Sequence, residues 1–253
     1  MASSIVLITG ANSGLGFAIS KVLATTSSDF HIIIASRTLD KANEALASIE
    51  ALQPKGTLSA IYLDVTDKSS IQAAAAQVEQ TFGHLDVLIN NAAVGGLDIE
   101  DVETRFKVCL ETNVTGPALV SEAFRPLLLK SSNAYSIFVS SGQRTLPRNA
   151  LQTPPHFGTT QIQSGPAYQV SKAALNMLAV LEARDYGGKG LKVFVLSPGF
   201  FESGLRGNSE EARTGWGKAG SAEVPASVVL SILRGDRDDD VGRFVHEGGV
   251  YEW

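Results

Sequence analysis

Residues 4–16 read SIVLITGANSGLG, a short apolar run passing directly into a glycine-rich turn. The fold is decided at that junction. Ser4–Thr9 is apolar and rich in β-branched residues, as a strand buried on both faces should be. Gly10, Gly14 and Gly16 follow where the strand must give way to a helix beginning near Gly14. Glycines there allow a tight turn and let backbone N–H groups and the helix N-terminus approach a pyrophosphate. The spacing is G-x-x-x-G-x-G, which departs from the G-x-G-x-x-G of other dinucleotide binders. On spacing alone an ordinary strand-to-helix turn and a cofactor turn both remain open.

Outward from this turn, similar apolar runs recur as HIIIA, LSAIYL, LDVLIN, AYSIFVS, LKVFVLS and GRFVH, and most gaps between them carry helix-length Ala/Leu/Glu/Lys patterns. Alternating strand and helix imply parallel strands joined by right-handed crossovers, with helices on both faces. The expected class is α/β, a doubly wound Rossmann-type three-layer sandwich. No repeat, charge run or Ser/Gly linker divides the 253 residues, so one domain over 1–253 is expected.

The end of the second apolar run tips the balance at the glycine turn. Where an NAD-specific fold places an acid to accept from the ribose hydroxyls, this chain has Ser36 and Arg37. A guanidinium pairs with a 2′-phosphate through two parallel hydrogen bonds, whereas a carboxylate repels it. NADP(H) is therefore expected over NAD(H), against the plainer reading of Arg37 as a solvated charge.

Further along, SGPAYQVSK sets Tyr168 and Lys172 four residues apart, on one face of a helix. A phenol has a pKa of about 10, and a unit charge about 6 Å away at an effective dielectric near 20 is worth about 3 kcal/mol, or about two pKa units. Lys172 is spaced to supply that charge. On the same helix Val170, Ala174, Met177 and Leu181 cluster on the side opposite Tyr168 and read as the buried stripe. Leu175 and Ala179 extend the Tyr168 face with apolar groups, so the helix reads as covered on two sides, by the sheet and by a second subunit.

Composition excludes several classes. With 21 basic and 26 acidic residues the net charge is −5 and no basic run exists, which argues against nucleic acid. Cys109 is the only cysteine, so no internal disulfide or multi-cysteine metal site can form, in keeping with a reducing compartment. Cys109 reads as a small buried apolar residue, His31, His84, His156 and His246 as dispersed structural or solvated groups, and DRDDD as a solvated turn. The leading apolar run is only about five residues, too short for a signal peptide or a membrane span. A soluble cytoplasmic protein without bound metal is expected.

Taken in order, TGANSGLG, the LDV ending at Asp64 and Val65, NNAA at 90–93, the Asn of ETNVTG, VSSG, YQVSK and SPG resemble the short-chain dehydrogenase/reductase family essentially end to end. The resemblance implies a seven-stranded, mostly parallel sheet in one domain, with the cofactor at the carboxyl ends of the strands. It implies a catalytic group of Asn113, Ser141, Tyr168 and Lys172, with Ser140 as a competitor for the serine role. Tyr168 would be the proton donor, Ser141 would donate to the substrate oxygen, Asn113 would hold a water that reprotonates the lysine, and Lys172 would also reach the nicotinamide ribose. Gly10, Asn12, Ser13, Gly14, Leu15 and Gly16 would form the cofactor turn. Asp64 and Val65 would touch adenine, Asn90, Asn91 and Ala92 the region of the nicotinamide ribose, and Pro198, Gly199, Phe201 and Ser203 the carboxamide.

Two departures stand out. Ala93 puts a methyl where the family's NNAG has glycine, and Phe201 and Ser203 replace the common Val and Thr, with Phe201 expected to crowd or reshape the nicotinamide pocket. Twenty-six residues separate Ser141 from Tyr168, about twice the gap of compact bacterial ketoreductases, as in carbonyl-reductase-like members. Residues 142–165 and 204–224 are Gly- or Pro-rich and read as substrate loops, the second polar enough to be mobile. The apolar content of the first points to an uncharged ketone or aldehyde. An NADPH-dependent carbonyl reductase follows, in secondary metabolism or broad detoxification. The alternative is an NADP(H)-binding redox sensor or non-redox cyclase on the same fold. A homo-oligomer, dimer or tetramer, is expected through the Tyr168 helix and its predecessor GPALVSEAFRPLLL, in which Pro126 should kink or end the helix.

Overall fold

The computed structural model describes residues 3–142, 165–207 and 209–252. Each apolar run becomes a strand: β1 (Ser4–Thr9), β2 (Phe30–Ser36), β3 (Thr57–Tyr62), β4 (Val87–Asn90), β5 (Tyr135–Val139), β6 (Lys192–Leu196) and β7 (Phe244–His246). They are parallel in the order β3-β2-β1-β4-β5-β6-β7. An eighth strand, β8 (Gly249–Tyr251), returns antiparallel on β7 and corrects the expected count of seven. Three residues with a single exposed aliphatic, Val250, are too few to show a period.

Helices α1 (Gly14–Thr26), α2 (Leu39–Glu50) and α8 (Glu223–Leu233) cover one face, and α3 (Lys68–Phe82), α5 (Gly116–Leu128) and α6 (Pro166–Tyr186) the other. The strands supply both cores by alternation: Val6 and Ile8 face the first, Ile5 and Leu7 the second. Burial on both faces is why the strands read as continuous apolar runs. Two shorter helices are α4 (Val102–Leu110), which packs against α6, and the single turn α7 (Glu210–Arg213), which follows β6 in the chain. Among the described residues no helix is long and apolar enough to cross a membrane.

The stripe on α6 is the reverse of the expected one. Ala167, Ser171, Lys172, Leu175, Asn176, Ala179 and Glu182 are buried, whereas Val170 is 48 % and Met177 55 % exposed. The face shared by Tyr168 and Lys172 turns to the sheet, and the more apolar face looks outward. Periodicity finds an apolar stripe but does not say what covers it. Pro126 lies in the last turn of α5, and the helix ends two residues later.

Cys109 is fully buried in α4, as read. The acidic run 238–240 does more than solvate a turn, since Asp238 pairs with Lys192 and Asp240 with Arg237. Residue 156 and most of 142–165 lie outside the described residues.

Candidate active site

Because β1 to β6 are parallel, the residues that follow them emerge along one edge: Gly10, Arg37, Asp64, Asn91, Ser141 and Pro198. The strand order reverses between β1 and β4, and at such a switch point adjacent crossovers diverge and open a crevice.

The glycine turn is built to be approached closely. Gly10 has φ 64° and Gly14 φ 56°, both in the left-handed region. Gly16 begins α1 with no room for a side chain: a Cβ there would lie 2.6 Å from Asn91 Nδ2, 2.7 Å from the Gly10 carbonyl oxygen and 2.9 Å from Ala11 Cα. Asn12 is half-buried and Ser13 exposed, while Leu15 packs into the core. These features fit a pyrophosphate at the α1 N-terminus.

The β1 and β4 ends are stapled to each other. The Thr9 hydroxyl accepts from the Asn91 and Ala92 N–H groups at 3.0 Å, and Asn91 Nδ2 donates to the Thr9 and Gly10 carbonyls. The Asn91 amide nitrogen is thus engaged by the turn. Asn90, also expected at the cofactor, points into the protein: its side chain is buried and donates to Ser121 at 3.1 Å, so only its backbone faces the strand ends. Ala93 keeps a negative φ, so its methyl costs no backbone strain.

Ser36 is buried and donates to Asn12 Oδ1, whereas Arg37 is exposed with no ion pair among the described residues. Asp64 accepts from the N–H and hydroxyl of Thr66, and Val65 is packed under the start of α5.

The VSSG pair divides cleanly. The Ser140 hydroxyl is buried, donating to Asn176 Oδ1 at 2.5 Å with the Lys172 carbonyl at 3.3 Å. Ser141 is partly exposed. Ser141 is therefore the accessible hydroxyl.

Tyr168 and Lys172 share the inward face of α6, with Lys172 Nζ 5.8 Å from the Tyr168 ring centroid. That ammonium is buried, donates to the Val139 carbonyl at 2.7 Å, and has its pKa lowered from 10.5 to about 7 by the loss of hydration.

Asn113 lies in a π-helical turn, Glu111–Thr115, between α4 and α5, where its side chain is fully buried. Its Oδ1 accepts from the Val94 N–H, and its Nδ2 donates to the Val94 carbonyl and to Ser171 Oγ. Ser171 Oγ in turn donates to the Tyr168 carbonyl at 2.8 Å. The carboxamide is thus a clamp on the α6 turn carrying Tyr168, with both its N–H groups spent. The Asn113 carbonyl fits a water better. Its α-helical donor would be residue 117, which is Pro117 and has no N–H.

After β6, Pro198 and Gly199 turn the chain, and Gly199 has φ 72°. Phe201 is tucked into the core beside α8. Ser203 caps the following turn by accepting from the Leu205 N–H. Within the 204–224 loop, Arg206 ties several described residues together. Arg206, unremarked in the sequence, donates to the carbonyls of Phe201, Ala212 and Arg213 and stacks over the Phe200 ring at 4.6 Å. Burial lowers the Arg206 pKa, with the charges of Tyr168 and Glu202 acting the other way, so the guanidinium borders the Tyr168 site. No local pattern distinguishes such a residue from a solvated arginine.

A doubly wound sheet with a glycine turn at the switch point, and a serine, tyrosine and buried lysine beside it, defines a dinucleotide-dependent oxidoreductase fold. The family model described as short chain dehydrogenase matches residues 4–214. The chain belongs to the short-chain dehydrogenase/reductase family, oxidoreductases that use a nicotinamide cofactor. It is 34 % identical to the short-chain dehydrogenase/reductase tropE of Talaromyces stipitatus, over 96 % of this chain and 95 % of that one. It is 31 % identical to eupG of Phoma sp, over 93 % and 91 %. Among solved structures, an NADPH-bound carbonyl reductase from chicken fatty liver is similar over 100 % of both chains, with a TM-score of 0.78 and 28 % identity.

Proposed function

We propose that the protein is an NADPH-dependent carbonyl reductase of secondary metabolism, reducing an uncharged ketone or aldehyde with Tyr168 as general acid. The observation carrying this is the buried Lys172 ammonium, 5.8 Å from the Tyr168 ring, with loss of hydration as the largest influence on it. When bound, NADPH supplies the hydride. The chain holds it on the Gly10–Gly16 turn, with Arg37 on the 2′-phosphate and Asp64 and Val65 toward the adenine. Tyr168 releases its proton to the carbonyl oxygen as negative charge develops there, Ser141 donates to the same oxygen, and the Lys172 charge favours the phenolate left behind. Residues 1–253 act as one catalytic unit, with 204–224 bordering the substrate. The absence of any disulfide partner for Cys109 supports a cytoplasmic setting.

The test follows NADPH absorbance with a panel of aromatic ketones, quinones and aldehydes. Turnover on at least one is expected. NADPH binding without turnover on any overturns the reductase reading in favour of a sensor or cyclase.

The assignment of NADPH over NADH is tested separately. Arg37→Asp removes a charge-assisted pair and adds repulsion, so NADPH binding should weaken by about 100-fold and NADH binding by no more than about threefold. Fluorescence titration of both cofactors checks this, and equal losses refute the assignment.

The exposed Val170 and Met177 on α6 support a homo-oligomer through this face. A dimer or tetramer is expected by size-exclusion chromatography at micromolar concentration, with Met177→Glu shifting it to smaller species. A wild-type monomer under those conditions sinks the proposal.

A further inference from the structure

The hairpin that the sequence hid bears on the serine. Ser141 stands between two anchored neighbours. On one side Ser140 is held by its hydroxyl contacts with α6 and by its N–H donating to the Leu196 carbonyl at 2.8 Å. On the other, the Gly142 N–H donates to Ser197 Oγ at 2.9 Å.

The Tyr251 ring of β8 lies against the α-carbon of Gly142. A Cβ built there would overlap Tyr251 Cε2 and lie 2.7 Å from Cδ2 and 2.8 Å from Ser197 Oγ. Gly142 is required at this position because the ring occupies the space of any side chain. That ring is itself fixed: it stacks on His246 at 4.0 Å and 14° and meets Phe244 edge-on at 5.5 Å. From outside, Arg237 donates to the Gly249 carbonyl at 2.9 Å and to the His246 carbonyl at 3.4 Å, while its Nε pairs with Asp240. A line of contacts therefore runs from Arg237 through the hairpin to Tyr251, then to Gly142 and Ser141.

We propose that Tyr251 is a positioning residue for Ser141: its ring buttresses the Gly142 backbone and holds the serine hydroxyl toward the reacting oxygen. The proposal rests on the reductase reading for its consequence in turnover, but not for its geometry. A hydrogen-bond donor must lie about 3 Å from the developing oxyanion, and a displacement of about 1 Å can cost about 100-fold in rate. The phenol ring supplies the contact, so Tyr251→Phe should preserve it and Tyr251→Ala should remove it.

Two measurements on the full chain test this. Deuterium exchange of the peptide containing residues 140–142 should rise at least about tenfold in Tyr251→Ala and stay within about twofold of wild type in Tyr251→Phe. With NADPH saturating, kcat should fall about 10- to 100-fold in Tyr251→Ala and no more than about threefold in Tyr251→Phe, with NADPH affinity unchanged. Gly142→Ala should lower kcat comparably, and Tyr251→Ala added to it should cost little more, because both act on one contact. Unchanged exchange or unchanged kcat in Tyr251→Ala overturns the proposal, as do independent, multiplying effects in the double variant. A wild type without turnover on any carbonyl overturns the reductase reading instead, and exchange then decides the buttress by itself.

Discussion

Tyr168→Phe is expected to lower turnover by about 10²- to 10⁴-fold while NADPH affinity stays within about threefold of wild type. The substitution removes the phenol hydroxyl and keeps the ring. The α6 turn that carries the ring is held by backbone and by the Val94–Asn113–Ser171 clamp, and the clamp reaches Tyr168 through its carbonyl rather than its phenol. The missing hydroxyl also ends the coupling to Lys172, whose charge at 5.8 Å is worth about 3 kcal/mol at an effective dielectric near 20. Absorbance decay of NADPH gives the rate, and fluorescence titration gives the affinity. Retention of more than about a tenth of wild-type turnover removes Tyr168 from the acid role.

Lys172→Met is expected to stabilise the unliganded protein at pH 6 while abolishing turnover. Folding takes the ammonium from an ordinary pKa of 10.5 to about 7, with the Val139 carbonyl as its hydrogen-bond acceptor. Between those values the unfolded chain holds a proton that the folded chain does not, so stability rises with pH across about pH 7 to 10.5. Below pH 7 both states are protonated and the full cost remains. At 1.36 kcal/mol per pKa unit that cost is of order 5 kcal/mol, offset on substitution by about 1 kcal/mol for the hydrogen bond lost at Val139. A gain of several degrees in Tm at pH 6, shrinking toward pH 10, is the expected result. Equal Tm differences at both ends of that range show that Lys172 is not a strained charge. The same low dielectric that makes the ammonium costly strengthens its field on the phenol, so the instability and the chemistry share one cause.

What could be read without coordinates was what depends on short-range spacing. The seven apolar runs gave seven strands because parallel strands buried on both faces are mostly apolar, and Val6 and Ile8 serve one core while Ile5 and Leu7 serve the other. The Tyr168–Lys172 pair was legible because a four-residue spacing on a helix is already a statement about direction. What spacing did not show needed, in each case, a partner distant in sequence. Val170 and Met177 form a proper apolar stripe, yet the sheet lies on the other side of α6. Asn90 and Asn91 look equivalent in NNAA, but strand alternation sends the first to Ser121 and the second to the Thr9 turn. Phe201 enters the core because α8, more than twenty residues later, leaves room for it.

The sequence by itself determined the doubly wound class, the glycine turn, the cation in place of an acid after β2, and the Tyr168–Lys172 pair on one helix face. These follow from local periodicity and from the dihedral and charge demands of single residues. Only the tertiary structure buried Ser140 and left Ser141 partly exposed, made the Asn113 carboxamide a clamp, brought Arg206 to the border of the Tyr168 site, and set the Tyr251 ring against Gly142. Each of those outcomes is a contact between side chains or backbones far apart in the chain. Local spacing carries no information about which of two adjacent hydroxyls the packed helix will bury.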